Sequence, residues 1–176
     1  MKSLVDQLSQ YASYHRDRRN IATHLVGIPV IVFGIEALLA RASLGPHGGG
    51  PSLALGATLA AAAFYFALDL RYGAAMAAFL GASLWFGTSI AALSTLGWLL
   101  GAAGLFVGGW IVQFVGHAFE GRKPAFADDL VGLLVGPLFV VAEVGFALGL
   151  RDGVREEIER RVGPTRVRRI ERAALS

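Results

Sequence analysis

An all-α integral membrane bundle is the fold class this sequence predicts: four full spans, an N-terminal interfacial helix, a last apolar segment broken at a proline, and an amphipathic C-terminal helix. Three observations carry that reading. The 176 residues are 55% hydrophobic and 16% charged, with a mean hydropathy of +0.56, whereas an ordinary soluble domain carries roughly 25% charge. The apolar residues fall in runs near the length that crosses a hydrocarbon layer of about 30 Å at about 1.5 Å per helical residue. The cations collect at the chain ends and in short connectors, as membrane-flanking cations do. A soluble domain of this size leaves too much surface to hide so many apolar side chains, but lipid accepts them on the outside.

The chain reads as one membrane-embedded domain over residues 1–176, with an interfacial helix in 1–20, the bundle in 21–150 and a basic amphipathic tail in 151–176. The opening MKSLVDQLSQYASYHRDRRN has no apolar core after its cations and no small-residue cleavage site, so it reads as part of the mature protein. Over residues 3–17, Leu4, Leu8, Tyr11 and the Tyr14/His15 pair recur at helical spacing among polar residues, the pattern of a helix lying in the interface. Asn20 is placed to cap a new helix, and Ile21–Ala40 is apolar apart from His24 and Glu36, the first span. RASLGPHGGGPS marks a loop. Leu53–Leu68, Gly73–Leu93 and Leu96–Gly116 follow, joined by connectors short enough for antiparallel hairpins. Gly97, Gly101, Gly104 and Gly108 recur every three or four residues, a stripe expected to let a neighbouring helix approach closely.

The final apolar run, Leu130–Leu150, contains Gly136-Pro137 and Glu143. Lys2, Arg16, Arg18 and Arg19 argue for a cytoplasmic N-terminus. Four crossings return the chain to that side at Gly116, which puts His24 and His117 on one membrane face. A fifth full crossing would export a tail with eight Arg and five acidic residues, so the last run is expected to break at Pro137 and re-enter or stay on the cytoplasmic side. In the tail, Val154, Ile158 and Val162 at four-residue intervals predict an amphipathic surface helix.

Cysteine is absent, which excludes disulfides, thiolate ligands and cysteine nucleophiles, and leaves His, carboxylate or backbone oxygen for any metal. No P-loop, GxSxG or HExxH motif supports nucleotide, hydrolase or zinc-protease chemistry. The pI near 9.7 does not indicate nucleic acid, because the basic residues flank membrane segments. His47 lies in the Gly/Pro loop on the opposite face and reads as solvated.

His15 and His24, nine residues apart, would point in opposite directions on one straight helix, and the polar RDRRN between them supplies the turn that lets them converge. Each alone reads either as an interfacial polar residue or as a ligand. Gln113, His117 and Glu120 share one helical face if the helix continues past Gly116; the last two are either an interfacial imidazole with a solvated carboxylate or a pair reaching one ion. Glu36 and Glu143 would each cost a few kcal/mol against lipid. They should therefore point inward and be satisfied by Arg71, Lys123 or protonation, with Glu143 serving either a structural or a functional role.

YHRDRRNIATHLVGIP (Tyr14–Pro29), GWIVQFVGHAFEGRKPAFADDL (Gly109–Leu130) and GPLFVVAE (Gly136–Glu143), in that order, resemble the membrane 2-hydroxy fatty acid dioxygenase family, long catalogued as a domain of unknown function. Its fungal member, in the endoplasmic reticulum, metabolises phytosphingosine to odd-numbered fatty acids. The resemblance covers nearly the whole chain and implies an Fe(II)-dependent enzyme of fatty acid alpha-oxidation, which shortens a 2-hydroxy fatty acid by one carbon with O₂ as co-substrate. It implies His15, His24 and His117 as iron ligands, and Glu120 and Glu143 as a fourth ligand or its neighbours. Asn20 and Gln113 are implied as further site residues, and Arg122 or Lys123 as guides for the substrate carboxylate. Imidazoles suit Fe(II), and oxygen-activating iron needs open positions beside its protein ligands.

Two departures stand out: Arg16 occupies the place of a second His in the fungal pattern, and one residue fewer separates His117 from Phe119-Glu120. The implied surroundings are membrane lipid, in the cytoplasmic membrane of a bacterium or the endoplasmic reticulum of a eukaryote, and an oligomer is compatible with the sequence. The competing reading is a non-enzymatic small transporter or scaffold using Glu36 and Glu143 as intramembrane sites.

Overall fold

The computed structural model describes residues 2–45, 49–121 and 131–167, and those residues form seven helices: α1 (Leu4–Ala12), α2 (Arg18–Ala40), α3 (Leu53–Leu68), α4 (Leu70–Ala91), α5 (Thr95–Glu120), α6 (Gly132–Ala147) and α7 (Asp152–Val162). Ser3 opens α1 with a capping box. Its hydroxyl accepts the Asp6 N–H at 3.2 Å while the Asp6 carboxylate accepts the Ser3 N–H at 3.1 Å, so two end donors are satisfied reciprocally. Leu4, Leu8, Tyr11 and Ala12 are then buried in one cluster with Leu138 and Phe139 of α6. The expected N-terminal helix is present but short, and it packs on the bundle.

The cap of α2 differs from the sequence expectation. Asp17, not Asn20, caps it, accepting the Arg19 N–H at 2.9 Å. The helix therefore begins before Asn20 and carries it in the first turn, where its side chain is buried.

Antiparallel packing of α2 on α5 is the spine of the fold. Side chains meet in descending register: Asn20 and Thr23 near Gly116, Gly27 near Gln113, Ile31 near Gly109 and Gly34 near Phe106. At the far end the Trp98 indole N–H donates to the Ala37 carbonyl at 2.7 Å, and Arg41 lies over the Trp98 ring while donating to the Ala91 carbonyl at 2.9 Å. A Cβ on Gly109 would lie 2.6 Å from Ile31 Cγ1 and 2.9 Å from the Gly27 carbonyl oxygen; one on Gly116 would lie 2.0 Å from Thr23 Oγ1. Close approach of the backbones thus depends on these two glycines and on Gly27 and Gly34 of α2.

The glycine stripe expected to do this lies elsewhere on α5. A Cβ at Gly104 or Gly108 meets nothing within 4 Å, and one at Gly101 would lie 3.3 Å from Ile90 Cγ2 of α4, a tight contact away from α2. Spacing alone does not say which side of a helix faces its neighbour.

α4 runs alongside α2 in the same direction, with Gly87 against the Glu36–Ala37 backbone and Phe33 beside Phe86. α2, α4 and α5 are each long and apolar enough to cross a membrane; α3, at 16 residues, is shorter. Many large apolar side chains on them face outward, among them Trp85, Leu96, Leu100 and Ile111. Such a surface suits lipid rather than water, and the chain is read as a membrane protein. The described residues thus give three candidate spans, or four if the bent pair α6–α7 counts as one, in place of a definite four.

Pro137 does not break the last segment. α6 runs through it from Gly132 to Ala147, and the chain turns only afterwards, at Gly149 (φ 70°) and Arg151 (φ 61°), with α7 leaving at 115°. The missing proline N–H costs one helical bond, but packing around the site holds the helix together. Val135 through Val140 are all buried, and the Tyr65 hydroxyl donates to the Leu134 carbonyl at 2.7 Å in the affected turn. That bond falls one residue past the Leu133 carbonyl, the one that lacks its helical donor, so burial of the surrounding turn supports the helix through the proline. α7 has the predicted amphipathic character. Ile158 is buried, while Arg155, Arg160 and Arg161 pair with Glu157 and Glu159 on the outer side.

Candidate metal centre

His15, His24 and His117 come from three places in the chain and meet beneath the α1–α2 connection. His15 lies just past α1, His24 in the second turn of α2 and His117 in the last turn of α5. All three are buried, with exposures of 0%, 2% and 8%, and one ligand nitrogen from each lies within 4.8 Å of the others. The ring centroids are 4.5 to 5.1 Å apart. This is the group of His, Asp or Glu among the described residues able to hold one ion.

Local backbone geometry orients two of the rings. His15 Nδ1 lies 2.7 Å from the Tyr11 carbonyl and His24 Nδ1 lies 2.8 Å from the Asn20 carbonyl, each four residues back. A carbonyl only accepts, so each Nδ1 carries the proton and each Nε2 keeps its lone pair. His15 Nε2 is buried without a hydrogen bond. Burial, reinforced by the nearby His24, pushes the His15 pKa well below the ordinary value of 6.5, so the ring is neutral at physiological pH. Neutral imidazoles with Nδ1–H tied to backbone oxygen are the state in which histidine binds a transition metal. The Tyr11 ring stacks on His15 at 4.2 Å and Phe139 flanks it. A buried lone pair with no donor and three convergent imidazoles fit a divalent transition ion.

Glu120 closes the site from below. Its Oε2 accepts the backbone N–H of Arg16 at 2.9 Å, that of Asp17 at 2.8 Å and the Asn20 amide at 3.2 Å. The carboxylate at the end of α5 thereby grips the turn that carries His15. α5 itself stops where Gly121 adopts φ 66° and its N–H bonds the His117 carbonyl at 2.9 Å, an end that glycine makes at no steric cost. Both His117 and Glu120 are held in that last turn.

An apolar cavity of about 220 Å³ leads away from the imidazoles between α2, α5 and α6. His24, His117 and Gln113 stand at its head; Ile28, Ile31, Val32, Ile35, Phe106 and Trp110 line its walls, and Gly136 and Pro137 close one side. The Gln113 carboxamide is 3% exposed and neither of its polar atoms finds a hydrogen bond. Gly27 leaves the room it occupies, since a Cβ there would sit 2.9 Å from Gln113 Nε2. A buried amide with unused capacity at the mouth of an apolar cavity is the arrangement that orients an amphiphile.

The remaining sequence candidates lie apart. Glu143 lines a separate cavity of about 270 Å³ on the other side of the His15 turn, with Arg16, Arg18, Arg155 and Glu159. Glu36 is buried between α2 and α3 and accepts the Thr58 hydroxyl at 2.8 Å, a partner the sequence did not single out. Arg122, Lys123 and His47 lie outside the described residues. The sequence places Tyr11 on the apolar face of the first helix but does not single it out for the site, although its four-residue offset from His15 repeats the Asn20–His24 offset and marks both carbonyl partners.

The Mpo1-like family model, described as 2-hydroxy-palmitic acid dioxygenase Mpo1-like, matches residues 1–148, ending before α7. The chain is similar to the 2-hydroxy-palmitic acid dioxygenase MPO1 of Saccharomyces cerevisiae, 33% identical over 162 residues that cover 89% of this chain and 87% of the yeast protein. No solved structure matches it.

Proposed function

This chain belongs to the Mpo1-like family, and on that premise we propose that it is a dioxygenase of 2-hydroxy fatty acids that yields the acid one carbon shorter. The observation that carries the reading is the placement of three buried imidazoles at the head of an apolar cavity. His15, His24 and His117 would hold iron(II), and the bound ion would supply the activation of O₂ that a saturated hydroxy acid does not achieve unaided.

The protein's own groups do the rest. The cavity walls take the first part of the acyl chain out of water and bring its polar end to His24, His117 and Gln113. The Gln113 amide offers a donor and an acceptor to the 2-hydroxyl and carboxylate, fixing which end of the amphiphile faces the imidazoles. The Tyr11 and Asn20 carbonyls keep both Nδ1 protons in place and so fix the direction of the Nε2 lone pairs. Glu120 holds the His15 turn against the end of α5. The ligand atoms that converge are those of the three imidazoles and not of Glu120, which favours a supporting role over direct ligation. Glu143, in its separate cavity, suits a structural role better than a place beside the ion.

Purified protein supplied with Fe(II), 2-hydroxyhexadecanoic acid and O₂ is expected to give pentadecanoic acid by mass spectrometry. The product should be absent without metal or under nitrogen. Stoichiometric iron with no shortened acid from 2-hydroxy acids of any chain length would overturn the assignment.

A further inference from the structure

The chain segment after α7 returns to the metal-binding turn. Arg166 pairs with it as a short parallel bridge: the Arg18 N–H donates to the Arg166 carbonyl at 2.9 Å, and the Arg166 N–H donates to the Arg16 carbonyl at 2.8 Å. Arg16 is buried, and its guanidinium donates to the Gly163 carbonyl at 2.6 Å and back to the His15 carbonyl at 3.1 Å. Glu120 already holds the Arg16 N–H. Both backbone groups of Arg16 are therefore pinned, the N–H from inside the bundle and the carbonyl from outside. The residue so fixed directly follows His15.

We infer that residues 163–166 form a positioning strap that sets the metal affinity of the site by fixing the backbone beside His15. The inference rests on the metal reading proposed above. His15 is the ligand most in need of such support. His24 and His117 sit inside long helices, whereas His15 stands on a turn, outside α1. Groups that orient a metal's ligands commonly govern affinity by about 10- to 100-fold. Linkage also requires the converse: if the strap favours metal binding, metal binding must stabilise the strap.

Co(II) serves as the probe, in titrations of the full-length protein in detergent followed by visible absorption. Arg166→Pro removes the N–H that holds Arg16, while Arg166→Ala keeps both backbone bonds. The proline variant is expected to bind Co(II) about tenfold more weakly, with an altered visible spectrum, and the alanine variant to match wild type. In wild-type protein, Co(II) should slow hydrogen exchange of the amides in 163–167; this measurement decides the matter if the proline variant does not fold. Wild-type affinity in Arg166→Pro, equal loss in both variants, or unchanged exchange in the strap would each overturn the inference. Failure of wild-type protein to bind Co(II) or Fe(II) would instead remove the metal reading, and the strap's role with it.

Discussion

Glu120 and Arg16, 104 residues apart, are joined by a 2.9 Å hydrogen bond from the Arg16 backbone N–H to the Glu120 carboxylate. The same oxygen also takes the Asp17 N–H and the Asn20 amide. One fully buried carboxylate thereby holds both the entry to α2 and the residue beside His15. Removing it strands three buried donors, and each stranded donor costs about 1–3 kcal/mol. Glu120→Ala is therefore expected to lower stability by at least about 3 kcal/mol, and Glu120→Gln by less, because its one oxygen can accept the same three donors without the negative charge. Denaturant unfolding in detergent micelles measures both, and equal stability of the alanine variant would contradict the clamp.

Iron content separates the imidazoles from Glu143. His15→Ala, His24→Ala and His117→Ala should each purify with far less than stoichiometric iron, whereas Glu143→Gln, altered in a different cavity, should retain it. Elemental analysis of the four proteins gives the answer. Full iron in the His117 variant would take that residue out of the site.

Gln113 is predicted to act on substrate rather than metal. Gln113→Leu should keep its iron, raise KM and lower kcat/KM by about tenfold, the loss of one hydrogen bond to a charged group. A variant that loses iron instead would place Gln113 among the groups that build the metal centre.

Two glycines on one helix should respond oppositely to alanine. Gly109→Ala puts a methyl 2.6 Å from Ile31 and 2.9 Å from the Gly27 carbonyl, an overpacking expected to cost about 1–3 kcal/mol. Gly104→Ala meets nothing within 4 Å and should be neutral or slightly stabilising. Thermal unfolding of the pair checks it, and similar melting temperatures would show that the α2–α5 crossing is looser than described.

Acid should undo the tie between α1 and α7. Hydrogen bonding from Arg161, then from Ser3, lowers the Asp6 pKa from 3.8 to about 2. A carboxylate depressed by folding contributes stability that is complete above its unfolded pKa and lost as pH falls through the folded one. The melting difference between wild type and Asp6→Asn should therefore be constant above about pH 5, shrink below about pH 4 and vanish only below about pH 2. A difference as large at about pH 2 as at neutral pH would mean the ion pair is not its source.

Much of the fold was legible because its causes are local. Apolar run length, loop composition and the four-residue spacing of Val154, Ile158 and Val162 each depend on neighbours in the chain, so all-helical structure in lipid could be read directly. The polar RDRRN supplied the turn that lets His15 and His24 converge, but spacing left open whether each was an interfacial residue or a ligand, and their meeting is a fact of the tertiary structure. Asn20 was misjudged as the cap because Asp17 competes for the same role three residues earlier, and only packing against Glu120 decides between them. Pro137 does not break the helix because the cost of one missing N–H is outweighed by the buried wall of α6 around it, which the local pattern does not show.

The sequence alone determined the solvent this protein folds in, the order of its helices and which residue types were available to hold a metal. Only the tertiary structure decided that Gly109 and Gly116, rather than Gly104 and Gly108, face α2. It alone assigned Glu120 to bind backbone and set Glu143 in a cavity apart from the imidazoles. Helix-forming tendency and hydrophobic length are summed over adjacent residues, but the direction a side chain takes across a bundle depends on how distant segments pack, and no local pattern carries that information.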